Sequence, residues 1–195
     1  MPLLAAAATP VRSILVVGDS LSAEYGLARG SGWVALLQKR LAARRPAVEV
    51  VNASISGDTT SGGLSRLPAL LRQHHPDLVV IELGGNDALR GLPLDMTRSN
   101  LAEMARASSA AGARVVVVGM QVPPNYGRAY GERFAALFAD VARQEGAALV
   151  PFMLKGVADS PQADRLFQAD RIHPVAAAHP TILANIWTVL APLLK

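Results

Sequence analysis

No cysteine occurs among the 195 residues. That excludes disulfide staples, thiol catalysis and thiolate metal sites, but it fixes no compartment. Charge is scarce as well, at 17% against 51% apolar residues, so a disordered or purely solvating chain is excluded. Long apolar runs are missing: none approaches the roughly 18–20 residues that would cross a bilayer. Aromatic residues amount to 5% and do not interleave with the basic ones as a base-stacking platform would. Lys and Arg outnumber Asp and Glu by 19 to 15, for a net charge of +4, yet no nucleic-acid partner is expected. Pairs such as Lys39-Arg40 and Arg44-Arg45 read as the solvated face of a helix, with weak contact to anionic lipid surfaces left open. No metal is expected without His-rich or carboxylate-rich ligand spacing, and no nucleotide cofactor without a Gly-x-Gly-x-x-Gly turn after the first strand.

What is present alternates. Apolar, β-branched runs over 13–17, 48–51, 78–83, 114–120 and 148–152 predict five short strands buried on both faces. Between them lie helical stripes. Trp33, Leu36, Leu37 and Leu41 form the first, and Leu64, Leu67, Leu70 and Leu71 form the second, which ends near His75-Pro76. A third helix is expected over about 96–111. Tyr130, Phe134, Leu137, Phe138 and Val141 mark a fourth. A last one is expected over about 175–194, broken or restarted at His179-Pro180. The pattern predicts one α/β domain over 11–195, with a parallel sheet covered by helices on both sides. Residues 1–10 are apolar and rich in Ala. They resemble the end of an export signal with an Ala-x-Ala cleavage site, which predicts a periplasmic or secreted protein.

In such a sheet, ligands bind beyond the carboxyl ends of the strands. The first three strands are followed by Gly18-Asp19-Ser20, by a segment from Asn52 to Asp58, and by Gly84-Gly85-Asn86-Asp87. Ser20 taken alone could be a helix N-cap, as could Ser22. A nucleophilic serine also needs a base, a group that orients the base, and donors for the oxyanion. Of the four histidines, His74 and His75 suit a solvated helix end, and His179 beside Pro180 suits a structural or surface role. His173 follows Asp170 with two residues between. In a tight turn, that spacing brings a carboxylate to Nδ1 and leaves Nε2 for the serine. Asn86 can donate a side-chain N–H and Gly57 a backbone N–H, although each could equally be a turn residue. Leu21, Leu89, Leu92, Val122, Pro123 and Ile172 flank these positions and are candidates for an apolar substrate wall.

Four blocks carry a resemblance: Gly18-Asp19-Ser20-Leu21-Ser22, the stretch from Asn52 to Thr59, Gly84-Gly85-Asn86-Asp87, and Asp170-Arg171-Ile172-His173-Pro174. In this order they resemble the signature blocks of SGNH/GDSL hydrolases, from about residue 13 to the end of the chain. Segments 121–126 and 150–154 resemble the bacterial periplasmic branch of multifunctional thioesterase, lysophospholipase and arylesterase. The resemblance implies a three-layer α/β/α fold on a five-stranded, parallel, flavodoxin-like sheet. It also implies nucleophile Ser20, the pair Asp170 and His173, and oxyanion donors Ser20, Gly57 and Asn86. Arg171 departs from it, since this branch commonly has Gly there, and a left-handed turn at an Arg would be strained. The expected activity is hydrolysis of acyl esters and thioesters. Two alternatives stand beside it: an acetylesterase acting on carbohydrate with the same triad, and a non-catalytic module binding FMN on the same type of sheet.

Overall fold

Runs of Val, Ile and Leu leave no polar face for a strand to turn to water, and parallel pairing between helical layers is the arrangement that buries both sides. The computed structural model describes residues 10–43 and 47–194. The proposed export-signal remnant, apart from Pro10, and the Arg44-Arg45 pair lie outside the described residues. Five strands form one sheet: β1 (Ser13–Gly18), β2 (Glu49–Asn52), β3 (Leu78–Glu82), β4 (Arg114–Val118) and β5 (Ala148–Val150). Their order is β2-β1-β3-β4-β5, and every pairing is parallel. This is the expected flavodoxin-like order, with its reversal between β1 and β3.

Alternation along each strand sorts the core into two layers. Ile14, Val16, Leu78, Val80, Val116 and Val118 face one side, against helices α1 (Trp33–Ala42) and α7 (His179–Leu193). Leu15, Val17, Val79, Ile81, Val115 and Val117 face the other. There they meet α2 (Thr60–His74), α4 (Leu94–Ala110) and α5 (Arg128–Gln144). Trp33, Phe134 and Phe138 are the largest side chains fully enclosed, and burial of such a side chain contributes about 1.5–3 kcal/mol. Two short helices, α3 (Gly85–Leu89) and α6 (Ala163–Leu166), sit beyond the strand ends.

Several boundaries differ from expectation for local reasons. The fourth strand stops at Val118 because Gly119 turns against the next segment: a Cβ there would lie 2.4 Å from the carbonyl oxygen of Pro151. The fifth stops at Val150, before Pro151. His179-Pro180 starts a helix and does not break one: a single 3-10 turn over Ala176–Ala178 leads into α7, with Pro180 in its first turn. His75 ends α2 in a left-handed conformation, φ 42°, with its N–H on Leu71 O. Among the described residues, no helix is long and apolar enough to cross a membrane.

Candidate active site

Three loops meet beyond the carboxyl ends of β1, β2 and β3. At the end of β1 the chain turns sharply, with Ser22 N–H and Ala23 N–H both bonded to Asp19 O. Gly18 is required there, because a Cβ would lie 2.6 Å from the Glu82 carboxylate and 2.9 Å from Ser22. Ser20 follows, partly exposed at the floor of a cavity of about 350 Å³. Among the described residues its Oγ accepts no backbone N–H, so Ser20 is not a helix N-cap.

Facing Ser20 is the loop between Phe167 and Pro174, closed by an isolated antiparallel bridge between those two residues. Asp170 Oδ1 accepts the N–H groups of Ile172 and His173, each at 3.0 Å, which folds the turn around its own carboxylate. Asp170 Oδ2 lies 2.6 Å from His173 Nδ1, and His173 Nε2 lies 2.8 Å from Ser20 Oγ. Burial alone would raise the Asp170 pKa, but the backbone N–H and ring N–H of His173 and the N–H of Ile172 outweigh it and hold the group at about 2. An ionised carboxylate only accepts, so Nδ1 carries the proton and Nε2 is left as the acceptor for the serine hydroxyl. The ring is held from the side as well: the Tyr25 ring centroid stands 4.3 Å from that of His173. Gln168 Nε2 ties Tyr25 O to this loop at 2.9 Å.

The expected donors lie on the opposite wall. Gly57 lines the cavity with φ 79°, a left-handed conformation that favours glycine, and its carbonyl accepts from Arg90 at 2.7 Å. Arg66 braces the same region by donating to Asp58, Ala53 O and Gly18 O. Asn86 stands in the first turn of α3 with Nδ2 3.0 Å from Asp19 Oδ2. Asp87 is fully buried and accepts from Thr60 N, Thr60 Oγ1 and Thr97 Oγ1, which anchors α3 to α2 and α4.

A second cavity of about 560 Å³ opens from the first, with Leu21, Gly85, Leu89 and Ile172 at the junction. Its depth is lined by Met120, Phe134, Phe152 and Phe167, with Val122 and Pro123 on the wall. Five of the six expected substrate-wall residues therefore line it. Leu92, the sixth, lines neither cavity; its N–H bonds to Asp87 O.

Sequence reasoning missed two parts of this site, the buried carboxyl pair and the Glu24 cap, while His179 takes the structural role expected of it. Asp19 and Glu82 form a buried carboxyl pair beneath Ser20, and the signal was a lone charge ending the apolar run Leu78–Glu82. Glu24 takes the N–H groups of Gly30 and Gly32 at 3.0 and 2.7 Å, and buried His179 takes that of Trp33 at 3.0 Å. Together they satisfy the start of α1, where Gly32 offers no side chain. Burial holds the His179 pKa below its ordinary value, as suits an acceptor. Among the described residues, no group of three His, Cys, Asp or Glu side chains could hold a metal ion.

Residues 16–180 match the model of the GDSL-like Lipase/Acylhydrolase family. The chain is 55% identical over 183 residues to an esterase, TesA, of Pseudomonas aeruginosa, covering 94% of this chain and 90% of that protein. It is 41% identical over 193 residues to the thioesterase 1/protease 1/lysophospholipase L1 of Escherichia coli, covering 99% of this chain and 90% of that protein. A solved crystal structure of TesA superposes with a TM-score of 0.88 at 55% identity, over 93% of this chain and 99% of that one.

Proposed function

The chain belongs to the GDSL-like lipase/acylhydrolase family, and from that premise we propose that Ser20, His173 and Asp170 carry out acyl transfer to water. The protein is a serine hydrolase acting on carboxylic ester and thioester bonds. The observation that carries the residue assignment is the unbroken line Asp170 Oδ2, His173, Ser20 Oγ, with contacts of 2.6 and 2.8 Å.

In the first step His173 Nε2 takes the Ser20 proton as Oγ bonds to the acyl carbon. The carbonyl electron pair moves to oxygen, where the N–H groups of Ser20, Gly57 and Asn86 receive it. The imidazolium, steadied by ionised Asp170, gives its proton to the departing alcohol or thiol as the C–O or C–S bond breaks. Water then attacks the acyl-enzyme by the same path, releasing the acid and restoring Ser20.

The cavity beside Ser20 is lined mainly by apolar side chains, with Gln121, Asp159, Asp164 and Arg171 among them, and that lining favours acyl chains over acetylated carbohydrate. Export to the periplasm or beyond is supported by the Ala-rich composition of residues 1–10. Hydrolysis of p-nitrophenyl esters from acetate to palmitate, by wild type and by Ser20→Ala, tests the catalytic reading. Activity that vanishes in the folded variant is expected, and undiminished activity would remove Ser20 from its role.

A further inference from the structure

One charged group beside the nucleophile is not used by the triad. Asp19 directly precedes Ser20, is 2% exposed, and makes no hydrogen bond to His173. Its Oδ1 accepts the Leu21 N–H at 3.0 Å and its Oδ2 accepts Asn86 Nδ2 at 3.0 Å. Its own N–H points down to Glu82 Oε2 at 3.3 Å. Glu82 is fully buried; the same oxygen takes the Ser22 hydroxyl at 2.5 Å, and Ser22 Oγ in turn takes Trp33 Nε1 at 3.1 Å. Glu82 Oε1 has no partner.

Burying two carboxyls side by side is costly unless at least one stays neutral. Burial and the nearby Asp19 push the Glu82 pKa well up, so Glu82 is the neutral member. Asp19 is raised only to about 6, because burial is opposed by Leu21 N–H, His173 and Asn86, so it is ionised at neutral pH.

An ionised carboxylate can only accept, whereas a side-chain amide donates at one end and accepts at the other. The Asn86 amide can therefore meet Asp19 in one orientation only, nitrogen first. One N–H is taken by Asp19 and the other stays free. Turned over, the amide would present its carbonyl oxygen to Asp19 and would lose its N–H toward the reacting centre.

We propose that Asp19 is the positioning residue of the oxyanion site, its carboxylate locking the Asn86 amide so that a free N–H faces the oxygen of the tetrahedral intermediate. Glu82 is the neutral floor that holds the Asp19 backbone and the Ser22 hydroxyl beneath it. The role rests on the assignment of Asn86 as an oxyanion donor and deepens it.

A mutant cycle tests it, with p-nitrophenyl butyrate as substrate: Asp19→Asn, Asn86→Ala and the double variant, each checked for folding by thermal melting. An amide at position 19 can donate to the Asn86 oxygen, so the lock is released with little change of shape. Asp19→Asn should lower kcat by about 10²–10³, as loss of one oxyanion donor does, with KM little changed. Asn86→Ala should lose a similar amount, and the double variant should lose no more than Asn86→Ala alone. Losses that multiply in the double variant, or wild-type kcat in Asp19→Asn, would overturn the proposal while leaving Asn86 as donor. Wild-type kcat in Asn86→Ala would remove both readings together. Should Asp19→Asn melt below the assay temperature, Asp19→Ala takes its place in the same cycle.

Discussion

Glu24 and Arg171 occupy the same left-handed backbone conformation, at φ 60° and 58°, but only Glu24 uses its side chain to satisfy backbone donors. A non-glycine residue there costs about 1–2 kcal/mol. Among the described residues, the Arg171 guanidinium forms no hydrogen bond or ion pair that would offset this. Arg171→Gly should therefore stabilise the fold by roughly 1 kcal/mol, a rise in Tm of about 2–4 °C for a chain of this size. Glu24→Gly relieves the same strain but frees the N–H groups of Gly30 and Gly32, so its Tm should fall. Parallel melting curves check the pair, and shifts of equal sign would refute the account of Glu24 as a cap.

Asp170→Asn separates geometry from charge at the base. The side chain keeps its size and can still accept from Ile172 and His173 N–H. A carboxamide can, however, donate to Nδ1, which moves the ring proton to Nε2 and leaves the serine without a base. Turnover should fall by roughly 10³–10⁴ with KM little changed. A loss below tenfold in steady-state kinetics would mean that Asp170 does not set the tautomer.

Much of this arrangement was legible in the sequence, because short apolar runs report burial and small polar clusters after them report strand ends. Ser20, Gly57 and Asn86 each follow such a signal, and His173 stands out by its spacing from Asp170. What stayed hidden depends on contacts between distant segments. Glu82 closes a run that reads as pure core, and only pairing of β3 with β1 brings it beneath Asp19. Glu24 reads as a loop charge until the chain folds back to present the N–H groups of Gly30 and Gly32. Periodicity is blind to hydrogen bonds of that kind. Leu92 has the apolar character of a substrate wall but lines neither cavity.

Asp19 ties activity and stability to the same pH window with opposite signs. Facing it are Glu82 from β3, Asn86 from α3, His173 from the Phe167–Pro174 loop and, by charge alone, Asp58 after β2. Burial raises its pKa from 3.8 to about 6, so between those values the folded state holds a proton that the unfolded state has released. Its contribution to stability is greatest below pH 3.8 and declines as pH rises through about 6. Asp19→Asn should therefore be more stable than wild type at pH 8, by about 3 kcal/mol at most, and melt higher. The advantage should shrink toward pH 4. Activity needs the ionised form, so wild-type kcat/KM should fall below pH 6 more steeply than a single ionisation allows, and Asp19→Asn should lose the extra steepness. Asp170 acts in the other direction. Held at about 2, it contributes stability above pH 3.8 that is lost as pH falls toward 2. Thermal melts at pH 4 and pH 8 and a kcat/KM profile from pH 4.5 to 8 check these signs.

Acyl length should be read by the larger cavity alone. Leu21, Leu89 and Ile172 sit at its junction with the serine and meet any substrate, whereas Ala163, at the start of α6, lines only the larger space. Each methylene that enters an apolar cavity gains about 0.8 kcal/mol, roughly fourfold in binding. KM for p-nitrophenyl esters should therefore fall stepwise from acetate until the cavity is full, and then level off. Ala163→Phe places a ring in that volume without touching Ser20, His173 or the donors. It should leave kcat/KM for acetate unchanged and lower it for the longer esters, with the loss appearing in KM. If acetate and long-chain esters lost activity equally, the ring would be disturbing the Phe167–Pro174 loop that carries His173, and the cavity would not be the acyl site. If neither changed, the acyl chain would leave Ser20 by another route.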